Sequence, residues 1–357
     1  MKKFMNKAAS MVAESLEGFV SVHDHLVTFG AGRKFVRRRH LNPGKVALIS
    51  GGGAGHEPMH VGFVGQGMLD AACTGHIFTS PTPDQIIAAI EETDTGAGCL
   101  LIVKNYDGDV MNFEMAAEAV MGRHSIETVI VSDDIAAQGA ARSSGRRGVA
   151  GTLIVEKILG AAAEAGMDLA GLKVLGERLS MQIRTMGVAL GGVTVPDTAR
   201  STFTLEPDEM EVGVGIHGEP GLFRQKIADA DTIATMICNT ILADMELQNS
   251  DRALLLVNGF GGTPTPELYL IYNVARRLFE AKGIRIARSL VGTYVTSLDM
   301  AGLSVTLSLL DEEALYFWDA PVLTAALSTC RHGPTSGMVM SSLDIYGPLP
   351  IAKGLAG

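Results

Sequence analysis

One stretch, residues 45–60 with the sequence KVALISGGGAGHEPMH, constrains the fold more than any other part of the chain. Val46 to Ile49 is a short apolar run that predicts a buried strand, and the glycines that follow it predict an abrupt end to that strand. Without Cβ atoms, such a turn lets backbone N–H groups approach a ligand, and His56 stands where a helix is expected to begin. In an open α/β sheet, a turn of this kind lies at the edge where ligands bind.

The turn lacks the residues of the common nucleotide-binding loops. A dinucleotide fingerprint starting at Gly51 would need a third glycine where His56 stands, and the chain contains no Gly-x-x-x-x-Gly-Lys-Ser/Thr sequence. The turn therefore favours a small ligand handled by an imidazole. A tight strand-to-helix turn around a buried histidine, without a ligand, is the structural alternative.

The composition is typical of a well-buried globular protein, and the length favours two domains. The 357 residues exceed what one core usually organises, and 47% of them are apolar while 19% are charged. A formal net charge of −10 argues against nucleic acid or an anionic membrane as a partner. The sequence has no apolar run long enough to cross a membrane.

The cysteines have none of the spacings that are typical of a metal site. Cys73, Cys99, Cys238 and Cys330 are scattered among apolar neighbours, which predicts reduced core residues of a cytoplasmic protein. We therefore expect no bound metal on this chain.

Polar side chains follow the predicted strands of the first half. Cys99 to Val103 predicts a buried strand that ends at Lys104, and Asp109 comes shortly afterwards. Val129 to Val131 predicts another strand with polar residues after it, and Ser80 lies in a loop where its hydroxyl can face the same edge. Parallel strands with polar carboxyl ends indicate an α/β domain with its site along that edge.

The whole pattern predicts two α/β domains, each with a mixed or largely parallel sheet flanked by helices. Residues 1–186 form the first domain, and residues 187–330 form the second with at least five further strand-like runs. Residues 331–357 are a C-terminal extension whose many apolar side chains predict an ordered segment used for packing or assembly.

A second histidine framed by glycines lies in the predicted C-terminal domain. His217 is part of a His-Gly-Glu-Pro sequence that resembles the Gly-His-Glu-Pro sequence around His56, although the likeness is too short to prove duplication. Histidines at strand ends are well placed to react, and with Lys104 and Asp109 they predict a small-molecule site. Taken singly, His217 also fits an ordinary turn residue, and Lys104 with Asp109 fits a simple ion pair.

Six runs of the sequence carry a family resemblance. They are GGGAGHEPMH at 51–60, IFTSPTP at 77–83, KNYDGD at 104–109, GRRGVA at 145–150, GVGIHGEPG at 213–221 and TSLDM at 296–300. Together they closely resemble the dihydroxyacetone kinase family, and within it the substrate-binding K subunit. The resemblance covers nearly the whole chain, from about Lys2 to Leu327.

The resemblance implies roles for residues at matching positions. His217 would add a ring nitrogen to the carbonyl carbon of dihydroxyacetone and hold it as a covalent hemiaminal, which selects short-chain carbonyl compounds over polyols. Asp109 would be the base toward the transferred phosphoryl group, with His56 orienting the hydroxyl or sharing its proton. The other substrate-binding positions would be Gly53, Ala54, Gly55, Ser80 and Lys104.

The resemblance also implies a kinase divided between polypeptides, with no cofactor on this chain. A separate L subunit would carry ADP or ATP with magnesium. The phosphoryl group would come from phosphoenolpyruvate through the phosphotransferase system, with an M subunit as a further partner, or from free ATP; the sequence is compatible with both. We expect a homodimer that is inactive without its L subunit.

Two alternatives stay open. Some members of this fold family are ligand-sensing co-activators of a transcription regulator, but the presence of both His56 and Asp109 favours the enzyme. The substrate could instead be a four-carbon ketose such as erythrulose. One departure from the family concerns the glycine-rich turn, where Ala54 replaces the serine of many relatives and removes one hydroxyl.

Overall fold

The computed structural model describes residues 3–137, 145–196, 201–247 and 251–329. Within these ranges the helices are α1 Met11–Val22, α2 Pro83–Thr93, α3 Asp107–Val120, α4 Gly151–Glu164, α5 Leu169–Met181, α6 Ala230–Ala243, α7 Thr265–Ala281 and α8 Glu312–Trp318. The strands are β1 Val27–Phe29, β2 Val36–Arg38, β3 Ala47–Ala54, β4 Gly65–Gln66, β5 Ala71–Ile77, β6 Cys99–Lys104, β7 Ile126–Val131, β8 Ile183–Ala189, β9 Glu209–Val212, β10 Phe223–Lys226, β11 Arg252–Gly259, β12 Arg285–Gly292, β13 Gly302–Leu309, β14 Val322–Thr324 and β15 Ser328–Thr329.

The first sheet has the strand order β1-β2-β5-β3-β6-β7, and the four strands from β5 to β7 run parallel. Alternate residues of β3 and β6 face opposite layers of helices, as the two-residue period of a strand requires. Leu48 and Leu100 pack in the core on the α4 and α5 side, whereas Ile49 and Leu101 pack in the core formed with α2 and α3. The strands are therefore apolar on both faces, which explains their continuous apolar sequences.

The second sheet has the order β10-β9-β8-β13-β11-β12, and only β11 and β12 pair in parallel. Helices α6 and α7 cover one face, while Leu254 and Leu256 of β11 share a core with α4. Helix α4 is buried at every position from Gly151 to Ala163, because it lies between the two sheets. The predicted architecture, two sheet-and-helix regions with mixed sheets, is confirmed.

The glycine-rich turn differs from the prediction. Strand β3 does not stop at the first glycine but continues to Ala54, because Gly51, Gly52 and Gly53 stay paired with β5. Residues 55–60 form turns followed by a short 3-10 helix at Val61–Phe63, so the expected helix start at His56 was wrong. His56 is held by a turn and has no helix N-terminus behind it.

The chain crosses between the two regions more than once. Strand β8 starts the second sheet at Ile183, while β14 near the end of the described chain returns to pair with β4 of the first region. The division at residue 186 stays a prediction. Residues 331–357, predicted to be an ordered extension, lie outside the described residues.

In the part of the chain that the structure describes, no helix combines the length and the apolar character needed to span a bilayer.

Candidate active site

Three connections meet beyond the carboxyl ends of β3 and β6, next to a cavity of about 500 Å³ that His217 and Asp109 line and that His56 does not. The turn after β3 carries His56, the start of α3 carries Asp109, and the connection from β9 to β10 carries His217. Strand ends of a parallel sheet point to one edge, so residues distant in sequence converge there. Cavity-lining residues include Phe78, Ser80, Tyr106, Asp109, His217 and Glu219.

His56 is fully buried and presents a ring nitrogen without a partner. Its Nδ1 lies 2.8 Å from the carbonyl oxygen of Thr296, so Nδ1 donates and carries the proton of the neutral ring. Its Nε2 is buried and has no hydrogen-bond partner. Burial, and then the nearby His217 and Lys104, lower the pKa of His56 well below its usual range. The ring therefore stays neutral near neutral pH, and the Nε2 lone pair is free to accept a hydrogen bond.

Lys104 and Asp109 form a buried ion pair at the same edge. Lys104 Nζ lies 3.1 Å from Asp109 Oδ2, and both side chains are almost completely excluded from solvent. A Cβ at Gly52 would collide with this Nζ, so the absence of a side chain at Gly52 makes room for the ammonium group. The second carboxylate oxygen, Asp109 Oδ1, is buried without a partner. Asp109 thus has one oxygen fixed and one available.

His217 is held by Glu219 from the same turn. The backbone N–H of His217 donates to Glu219 Oε2 at 2.9 Å, and Nδ1 lies 3.2 Å from Oε1. Burial alone would raise the pKa of Glu219, but the hydrogen bond from His217 and the charges of His217 and Arg147 outweigh it and lower that pKa to about 2. Because the carboxylate occupies Nδ1, the neutral His217 ring has its lone pair on Nε2.

Three rings pack edge-on against His217. The ring centroids lie 4.7 Å away for His56, 4.5 Å for Tyr106 and 5.3 Å for Phe78. The two histidines predicted from separate domains are therefore direct neighbours. The Tyr106 hydroxyl is buried without a partner, and burial raises the pKa of Tyr106, so this hydroxyl is a neutral donor toward the cavity.

The residues predicted to bind substrate are not all placed alike. Gly53 and Ser80 line the cavity, and Lys104 lies just behind it. Ala54 and Gly55 do not line it. Their assigned roles remain predictions. Across the described ranges, no group of three or more His, Cys, Asp or Glu side chains is arranged to hold a metal ion.

Four residues of the site received no role from the sequence: Phe78, Tyr106, Arg147 and Glu219. All four lie inside the runs that carry the family resemblance, and this was the only available signal. Arg147 donates from Nε to Asp134 at 2.7 Å and from a terminal nitrogen to the carbonyl oxygen of Gly213 at 2.9 Å. It therefore ties the His217 turn to the end of the first sheet.

Comparisons with known proteins show the family of the chain. The Dak1 domain family matches residues 17–326. The dihydroxyacetone-binding subunit DhaK of PTS-dependent dihydroxyacetone kinase 1 from Listeria innocua is 48% identical over 314 residues, a match that covers 88% of this chain and 95% of that protein.

Two solved structures share the fold. One, described as the dihydroxyacetone kinase operon co-activator DhaQ, has a TM-score of 0.83 and 36% identity and covers 88% of this chain and 97% of its own. The other, the dihydroxyacetone kinase from C. freundii in complex with AMP-PNP and Mg²⁺, has a TM-score of 0.82 and 32% identity, with coverage of 97% of this chain and 65% of its own. The chain therefore belongs to the dihydroxyacetone kinase family, whose Dak1 domain it contains, and it is similar to the dihydroxyacetone-binding K subunits of that family.

Proposed function

We propose that this chain is the dihydroxyacetone-binding subunit of a dihydroxyacetone kinase and that it holds the ketose on His217. One observation carries the proposal: a histidine with its Nδ1 on a carboxylate packs against His56 and lines a cavity with Asp109, and these two neighbours each have a buried acceptor atom without a protein partner. The acceptors are His56 Nε2 and Asp109 Oδ1. A nucleophile for a carbonyl carbon and acceptors for a hydroxyl proton are what phosphorylation of a ketose requires.

The covalent step uses the two nitrogens of His217 differently. Nε2 donates its lone pair to the carbonyl carbon, and the electrons of the carbonyl π bond move onto its oxygen. The oxygen gains a proton while Nδ1 gives up its own, so the hemiaminal forms without a net change in charge. Glu219, 3.2 Å from Nδ1, stabilises the positive charge that develops on the ring in between.

Residues at the edge of the first sheet accept the proton of the substrate hydroxyl. The substrate hydroxyl has one proton, which His56 Nε2 and Asp109 Oδ1 share: His56 orients the hydroxyl by accepting a hydrogen bond before the transfer, and Asp109, whose other oxygen is fixed by Lys104, is the base that removes the proton. The nucleotide and magnesium would be held by a separate L subunit. The C. freundii kinase that binds AMP-PNP and Mg²⁺ supports this division, because this chain spans only 65% of it.

The test is reconstitution with a purified L subunit. Dihydroxyacetone and erythrulose are supplied in parallel with ATP, or with phosphoenolpyruvate and the phosphotransferase proteins, and phosphorylated product is measured. Product that requires the L subunit supports the proposal, and the ratio of kcat/KM values identifies the preferred ketose. Activity of this chain alone would contradict it.

A ligand-sensing co-activator is the second candidate. The likeness to the DhaQ structure favours it, whereas the presence of both His56 and Asp109 in the site favours the kinase. Binding of dihydroxyacetone without turnover under every donor condition would decide for the sensor.

A further inference from the structure

A turn of the second region determines where His56 carries its proton. This turn, residues 293–301 between β12 and β13, contacts the His56 turn through hydrogen bonds in both directions. His56 Nδ1 donates to the Thr296 carbonyl at 2.8 Å, and the Thr296 N–H donates to the His56 carbonyl at 3.2 Å. The Leu298 N–H donates to the Gly55 carbonyl at 2.8 Å. The tautomer of His56 therefore depends on the exact course of a segment from the other domain.

One buried side chain holds the start of that segment, just before Thr296. Asn258, fully buried near the end of β11, donates from Nδ2 to the Val295 carbonyl at 2.8 Å. Its Oδ1 accepts from the N–H groups of Tyr294 and Val295, each at 2.9 Å. Two backbone donors and one backbone acceptor around a single amide also settle which of its atoms is nitrogen. Only an amide offers both functions in this geometry.

The bonds of Asn258 act on the peptide unit that reaches His56. The peptide between Val295 and Thr296 has its carbonyl held by Asn258 and its N–H held by the His56 carbonyl. Without Asn258, that peptide loses one of its two fixed ends, and the adjoining Thr296 carbonyl depends on the bonds that remain, among them those from Thr296 Oγ1 to the carbonyls of Gly55 and Glu57. We expect the Thr296 carbonyl to be held less firmly against Nδ1 as a result. An imidazole that is free of this acceptor can place its proton on Nε2 instead.

We propose that Asn258 is a positioning residue for His56: by holding the 293–301 turn, it keeps the His56 proton on Nδ1 and the Nε2 lone pair toward the substrate. The proposal deepens the proposed function and rests on it only for the catalytic consequence. With the proton on Nε2, His56 would donate where it should accept, and Asp109 would lose its partner at the substrate hydroxyl.

The experiment compares Asn258→Asp and Asn258→Ser with the wild type and with Ser304→Ala as the matched control. A carboxylate at 258 still accepts from the two N–H groups but repels the Val295 carbonyl, and serine is too short to reach all three partners. Ser304 is equally buried on β13, and its Oγ lies 3.5 Å from Asn258 Nδ2 without touching the 293–301 turn. Its variant therefore reports the effect of disturbing the same core alone.

Nitrogen NMR of protein labelled with ¹⁵N-histidine gives the His56 tautomer directly, with His56→Gln used to assign the signals. We expect the Nδ1–H form in the wild type and in Ser304→Ala, and a substantial Nε2–H population in both Asn258 variants. We also expect kcat with the L subunit to fall about 10- to 100-fold in the Asn258 variants, by analogy with residues that orient metal-bound histidines, and the pH profile to change.

Two results would overturn the proposal. One is a wild-type His56 that carries its proton on Nε2, a measurement that needs no variant to fold. The other is an unchanged tautomer in an Asn258 variant, even if its turnover has fallen, because Asn258 would then be merely structural. A failure of the proposed function would look different. In that case His56→Gln would keep full turnover, while the effect of the Asn258 variants on the His56 tautomer would still be observed.

Discussion

The two sheet-and-helix regions contribute to the site in different ways. The first supplies His56, Lys104 and Asp109 from the ends of parallel strands, and all three side chains are buried with fixed partners. The second supplies His217 from a turn between antiparallel strands, and its side chain remains 18% exposed. The proposed acid–base groups are thus buried with fixed partners, while the proposed nucleophile stays within reach of solvent, from which a ketose would arrive.

The largest effect on substrate retention and turnover should come from removing the partly exposed His217 side chain. His217→Ala is expected to abolish covalent retention of dihydroxyacetone and to reduce turnover below detection, because no other ring nitrogen has a carboxylate at Nδ1 within the cavity. Intact-mass measurement and a crystal structure with substrate would show it. His40→Ala, at an exposed position, is the control. An undiminished adduct in His217→Ala would move the nucleophile to His56.

On the buried side, Asp109→Asn should separate binding from turnover. The amide keeps the shape but cannot take the hydroxyl proton, so kcat should fall about 10²- to 10⁴-fold while the adduct on His217 still forms. Steady-state kinetics and intact mass on the same sample measure both. If the loss lies in affinity alone, or is smaller than about tenfold, Asp109 only binds substrate.

Glu219→Gln tests the orientation of the nucleophile. Glutamine cannot supply the charge that stabilises the developing imidazolium, and we expect a fall in kcat/KM of about 10- to 100-fold, smaller than for either reacting group. Saturation with substrate should restore part of the rate if adduct formation is the impaired step. A wild-type kcat/KM would show that Glu219 shapes the turn without assisting the reaction.

The same carboxylate predicts a pH dependence of stability. The pKa of Glu219 is lowered to about 2 in the folded protein from an ordinary value of 4.5, so its stabilising effect is complete above pH 4.5 and is lost as the pH falls toward 2. One pKa unit corresponds to about 1.4 kcal/mol. Denaturant unfolding between pH 3 and 7 should therefore show a shallower loss of stability at acid pH in Glu219→Gln than in the wild type. Equal slopes would contradict the hydrogen bond to His217.

Gly52→Ala should give the smallest change, and it tests the rigidity of the buried side. The new Cβ collides with Lys104 Nζ, and a misfit of this kind typically costs about 1–3 kcal/mol. We expect a lower free energy of unfolding and weaker substrate binding. Gly18→Ala is the matched control, because no atom lies near its added Cβ on α1, and it should be neutral or slightly stabilising. Equal effects of the two changes would show that the ammonium group moves freely.

Local pattern was enough to predict strands and the edge where they end. A continuous apolar run such as Cys99 to Val103 is typical of a parallel strand that is covered by helices on both faces. The polar residues that follow such strands then lie at one edge of the sheet. The position of His217 next to His56 could not be predicted in this way. It depends on how the two sheets pack around α4, a long-range arrangement that no local pattern encodes. Only the family resemblance indicated it.

The glycines at the end of β3 and two polar residues near the site were not interpreted correctly from the sequence, for different physical reasons. Glycine weakens an isolated strand, which is why Gly51 to Gly53 predicted a turn, but pairing with β5 on one side outweighs that preference. Asn258 was given no role because it acts through backbone groups that only the folded chain brings near. Glu219 was given none because a glutamate two residues after a histidine does not by itself indicate a hydrogen bond between them. Nothing in the sequence distinguishes a polar residue that positions a histidine from an ordinary polar residue.

The return of β14 to β4 limits how a ligand can enter. Since the chain leaves the first region near Ile183 and comes back at Val322, two covalent crossings and the shared core around α4 hold the regions together. Any motion that separates the regions must therefore bend both crossings and break the packing around α4. A movement of the 213–221 turn alone requires neither, and loop motions of that kind take nanoseconds to microseconds, whereas hinge motions are slower.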